Sequence, residues 1–117
     1  MDEKRAIDTV KRWERAIRNE DAEEANCCLT HEARAVMPFD GEDLQFWKQG
    51  LEDFDKQGFY GEWRARSAKV LEKGVERATV YAYPVLKADP GPIWLVEDDG
   101  EWRIFRLFAK PDDEHRK

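Results

Sequence analysis

An α+β domain is expected, helices first and a four-strand antiparallel meander last, and three observations predict it. Through the first half of the 117-residue chain, apolar residues recur at three- and four-residue steps among charged ones. From Phe59 onward, β-branched and aromatic residues dominate, broken by turn signals. The connections between those later runs are too short for parallel crossovers, so neighbouring strands must be antiparallel. Helices segregated against one face of such a sheet define the class.

The first helix carries Ile7, Val10, Trp13 and Ile17 on one stripe, with Lys, Arg and Glu between them. Asn19 and Glu20 interrupt it. Asp21 then caps a second, short helix, with Glu24 three places on as in a capping box. Ala22, Ala25, Cys28 and Leu29 form its inner face, and Thr30 and His31 end it. Residues 33–39 alternate and predict a strand, with Ala33, Ala35, Met37 and Phe39 on one face and Pro38 near its end. Asp40 reads as the N-cap of a third helix with the stripe Leu44, Trp47, Leu51 and Phe54. Gly50 weakens that helix by about 1 kcal/mol relative to Ala. Strands are expected over 59–72, 75–88, 93–98 and 101–109, separated by turns at Lys73-Gly74, Asp89-Pro90-Gly91-Pro92 and Asp99-Gly100. One domain over 1–110 and a solvated tail over 111–117 complete the reading.

Composition excludes several classes. A net charge of −6 argues against duplex nucleic acid, whose binders displace counterions with a basic face, and against an anionic membrane surface. The chain has neither an apolar run long enough to span a bilayer nor a signal-peptide pattern at its start, so a cytoplasmic location is expected. Cys27 and Cys28 are adjacent, a spacing that strains a mutual disulfide, and they read as small helix residues rather than a redox pair. His31 and His115 lie too far apart in sequence to suggest a metal site, and no cofactor motif is present. Serine and threonine are scarce and none sits in a nucleophile elbow.

The element order, with the stretches WERAIRNEDAEEANCCLTHEARAVMP, GEDLQFWKQGLEDF and DDGEWRIFRLF, resembles the nuclear transport factor 2-like superfamily, which includes SnoaL-like and ketosteroid-isomerase-like proteins. The resemblance implies a cone-shaped, cystatin-like α+β barrel. In it a curved sheet wraps the first helix, an apolar pocket opens between sheet and helices, and two copies pair through the outer sheet face. It places Trp13 where isomerase-like members often carry a tyrosine. It places Met37 just before a proline, where the isomerases keep their catalytic aspartate. Methionine accepts no proton and tryptophan offers only an N–H donor, so that reaction is not implied for this chain.

A ligand pocket formed by Trp13, Ile17, Met37, Trp47, Trp63, Ile104, Arg106 and Phe108 is therefore expected, with no catalytic residue and no metal. Arg106 has two readings: an anchor for an anionic ligand, or a salt-bridge partner of Glu14 or Glu20. Asp40, Glu42 and Asp43 likewise read either as helix-start acids or as a general base at the pocket mouth. The functional expectation is a domain binding a hydrophobic or carboxylated small molecule. The alternatives are a dimeric partner-binding module with a filled core, and an isomerase, dehydratase or epoxide hydrolase using the acids near Asp40.

Overall fold

The computed structural model describes residues 2–72, 75–87 and 90–108. Helix α1 spans Asp2–Arg18, α2 Ala22–Cys27, α3 His31–Val36 and α4 Gly41–Lys56. Strands β1 (Trp63–Glu72), β2 (Val75–Pro84), β3 (Ile93–Asp98) and β4 (Glu101–Arg106) follow, paired in that order as an open antiparallel sheet. The α+β class and the meander are as the sequence predicts.

Helix α1 forms where its pattern demands. Asp2 and Glu3 sit at its positive end and Arg15 and Arg18 at its negative end, complementing the helix dipole. Val10, Trp13 and Ile17 are fully buried, with Ala6 and Ala16 beside them, and the helix packs against β1, β2 and β4. The side chain of Asp21 caps α2 by accepting from the Glu24 N–H at 3.1 Å. The Glu24 carboxylate instead takes the Arg12 guanidinium, tying α2 to α1.

The strand predicted over 33–39 does not form: its first four residues belong to helix α3, and 37–39 are irregular. Thr30 does not end the preceding element but starts the next one: its hydroxyl accepts from the Ala33 N–H at 3.1 Å and caps α3. HEARAV is made mostly of helix-tolerant residues, and its short alternation fits one helical turn as well as a strand. Only Ala33 of the six is buried. Extended pairing does occur between the helices, but earlier. Leu29 makes an isolated parallel bridge to Ile104, with Thr30 N–H donating to the Ile104 carbonyl and Ile104 N–H to the Cys28 carbonyl.

The strands are shorter than predicted at three ends. β1 begins at Trp63 because Gly58 and Gly61 take positive φ; Phe59 is buried in the loop instead. β2 stops at Pro84, which has no N–H to give a ladder. β4 stops at Arg106, and Phe108 turns away with a φ of 52°. The Asp99-Gly100 turn between β3 and β4 has both residues at positive φ, as a two-residue hairpin requires. The Lys73-Gly74 turn, Asp89 of the second turn and the 111–117 tail lie outside the described residues.

The sheet buries side chains on both faces. Trp63, Val80, Ala82, Ile93, Leu95, Trp102 and Ile104 join the α1 stripe in one core. On the outer face Trp94 is fully buried, with Tyr81 at 5.2 Å and Phe105 at 6.5 Å between ring centroids. A bulge sets this up: Trp94 pairs with Arg106 and Leu95 with Ile104, which leaves Phe105 as an extra residue of β4.

Candidate functional site

A cavity of about 250 Å³ opens between α1, α4 and the chain just beyond β4. Among the described residues, Trp13, Phe46, Trp47, Gly50, Leu51, Phe54, Pro90 and Phe108 line it. Every one of these is apolar, and among the described residues no ionisable side chain lines the wall.

Its rings are locked in mixed orientations. Trp47 and Phe108 stack at 5.7 Å with 22° between planes. Trp13 meets Trp47 edge-on at 6.1 Å and Phe108 at 6.4 Å, and Phe54 stands perpendicular to Phe108 at 5.8 Å. Edge-to-face pairs of this kind add about 0.5–1.5 kcal/mol each beyond burial. Phe46 is 69% exposed and packs on Trp47 at 5.5 Å, forming the rim. The indole N–H of Trp13 is buried with no acceptor among the described residues, as is that of Trp102. Such an unpaired donor costs about 1–3 kcal/mol.

Charged groups hold the cavity walls together from outside. Arg18 on α1 reaches Glu14 at 2.9 Å and Asp55 on α4 at 2.9 and 3.0 Å. Hydrogen bonding to Asp55, then to Glu14, raises the Arg18 pKa against the opposing effect of burial. Glu14 also accepts the Trp63 indole N–H at 2.9 Å, which ties β1 to the same helix. Glu20 bonds Lys48 on α4 at 2.7 Å, and that bond, with a second from Gln45, holds its carboxyl below the usual range.

Three of the expected pocket residues meet at the cavity: Trp13, Trp47 and Phe108. The others do not line it. Ile17 and Ile104 are fully buried core residues. Met37 caps the C-terminus of α3, half-buried against the core. Trp63 is turned to Glu14. Arg106 is half-buried at the end of β4 opposite Trp94, so the expected anion anchor is not part of the wall. Glu14 and Glu20, its expected partners, are engaged by Arg18 and Lys48. Asp40, Glu42 and Asp43 are exposed and stand away from the cavity lining. His31 is exposed at the start of α3. Among the described residues, no group of three His, Cys, Asp or Glu side chains could hold a metal.

Leu51 and Phe54 belong to the apolar stripe visible in α4, but the pocket expected from sequence did not include them. Phe46 lies one residue off that stripe, and nothing in the spacing marks it. Pro90 reads as a turn residue, and only the tertiary packing brings it to the cavity.

The molecule is thus an open-sheet α+β domain with an apolar, aromatic-walled cavity between its first and last helices. No family model, curated protein or solved structure matches this chain.

Proposed function

We propose that this is a small-molecule-binding domain whose ligand is neutral and largely apolar. The observation that carries the reading is the cavity itself: about 250 Å³ bounded by Trp13, Trp47, Phe54 and Phe108, with no charged side chain on its described wall. A carboxylated ligand fits less well, because Arg106 lies outside that wall and burying an unpaired carboxylate is costly. Catalysis is not part of the proposal, since the acids near Asp40 stand in solvent. The nuclear transport factor 2-like kinship is proposed on the same footing, supported by a helix lying across β1, β2 and β4 and a cavity at one end of it. A cytoplasmic location agrees with the two free cysteines. No helix among the described residues is long and apolar enough to cross a membrane.

The test uses a matched pair of heavy-atom quenchers of tryptophan fluorescence, 4-bromotoluene and 4-bromobenzoate. The reading predicts saturable quenching by the neutral compound and at least about tenfold weaker binding of the anion, a gap of about 1.4 kcal/mol. Linear, collisional quenching by both would remove the proposal.

A second reading, a homodimer through the outer sheet face, has one observation in its favour. Tyr81, Tyr83 and Phe105 form a half-buried aromatic surface around Trp94, and aromatic residues are enriched at protein interfaces. A sedimentation mass equal to one chain across a wide concentration range would exclude it.

A further inference from the structure

Gly50 sits in the middle of α4, where glycine weakens a helix and where backbone geometry does not call for it. The other described glycines, at 41, 58, 61, 91 and 100, all take positive φ, a region that side chains rarely adopt. Gly50 does not. Nor is it forced by crowding: a Cβ built on Gly50 would meet no heavy atom of the described residues within 4 Å outside its own helix. Neither of the usual physical reasons for a glycine, an unusual backbone or a close neighbour, therefore applies.

The space beside Gly50 is the cavity, whose wall it forms. Phe46 lies one turn before it and Phe54 one turn after, at positions i−4 and i+4 on the same helix face, and both also line the cavity. The row reads phenylalanine, gap, phenylalanine, with Trp47 and Leu51 alongside. Phe46 and Phe54 are eight residues apart, so the gap lies within about 12 Å of helix. A flat ring entering it would meet aromatic surfaces on both sides.

Resting on the small-molecule reading above, we infer that Gly50 is the aperture residue of the cavity, its missing side chain reserving the seat of a flat, neutral, apolar ligand. An apolar cavity of about 150 Å³ is large enough for benzene, so by proportion this one holds about ten non-hydrogen atoms, a bicyclic ring or its equivalent. The helix gives up stability at this position, and the space left open is where the ligand goes. Position 50 then sets which ligands fit. A methyl group there trims the seat, and a branched side chain plugs it.

The experiment combines thermal melting of the ligand-free chain with 4-bromotoluene quenching for wild type, Gly50→Ala, Gly50→Leu and the control Gln49→Leu. Gln49 is exposed and outside the cavity lining, so the control adds the same apolar bulk elsewhere on α4. The inference predicts that Gly50→Ala raises the melting temperature by about 4 °C while weakening binding several-fold. Gly50→Leu abolishes saturable quenching, and Gln49→Leu binds as wild type does. If Gly50→Leu does not fold, Gly50→Ala decides alone. Wild-type affinity in both Gly50 variants would overturn the aperture role and leave the binding reading intact. An unchanged or lowered melting point for Gly50→Ala would show that no stability is given up at this position. Absence of saturable binding in the wild type would remove the binding reading itself.

Discussion

Trp13 joins the core of this molecule to its cavity. It is fully buried on α1, touches Phe39, Trp47 and Phe108, and its indole N–H has no acceptor among the described residues. Truncation to alanine removes more packing than it relieves in polar strain, so Trp13→Ala should cost about 3–5 kcal/mol in a urea melt. A loss below about 1 kcal/mol would mean that the ring is not packed as described. The two cysteines also separate at this scale. Burial pushes the Cys28 thiol up to about 11, with the Arg12 charge opposing, whereas Cys27 is only half-buried. Thiolate is the reactive form, so iodoacetamide near neutral pH should label Cys27 well before Cys28. Peptide mass mapping reads the order, and equal rates would contradict the burial of Cys28.

The short elements show what single-sequence patterns can and cannot convey. The α1 and α4 stripes were legible because four apolar residues at regular steps leave one face to bury, and that face gave Trp13, Trp47, Leu51 and Phe54. Segment 33–39 was misread because so short a run fits either period, and the deciding feature was a single hydroxyl on Thr30. Arg106 and Met37 were placed at the pocket by analogy of position. The bulge in β3–β4 and the helical turn of α3 moved both elsewhere, and neither feature has a sequence signature. Two substitutions test the capping assignments. Thr30→Ala should lose about 1 kcal/mol of stability, since it removes the hydrogen bond that begins α3. Asp40→Ala should stay within about 0.5 kcal/mol, because the Asp40 side chain makes no cap bond at the start of α4. The reverse ranking in denaturant melts would reassign both.

Across the whole molecule, surface ion pairs tie α1 to α2 and the chain after α1 to α4, and they add a small acid-sensitive part to stability. The Arg12 guanidinium, through its hydrogen bonds, holds the Glu24 carboxyl below the usual range, and Lys48 does the same for Glu20. A depressed folded pKa stabilises the protein in full above the unfolded value of about 4.3. That contribution is lost as the pH falls from there through the folded value. Denaturant melts from about pH 6 to about pH 3 should show stability falling below about pH 5, and Glu24→Gln should flatten part of the slope. An identical slope in the variant would mean that the Arg12–Glu24 pair adds nothing measurable to stability. The central claim is that the cavity of Trp13 and Trp47 takes a neutral apolar ligand. Its most direct test is the indole N–H region of a proton–nitrogen correlation spectrum during titration with 4-bromotoluene. The five tryptophans report separately. Trp13 and Trp47 should shift and saturate together while Trp63, Trp94 and Trp102 hold their positions. Five stationary signals, or a shift of Trp94 in place of Trp13 and Trp47, would contradict it.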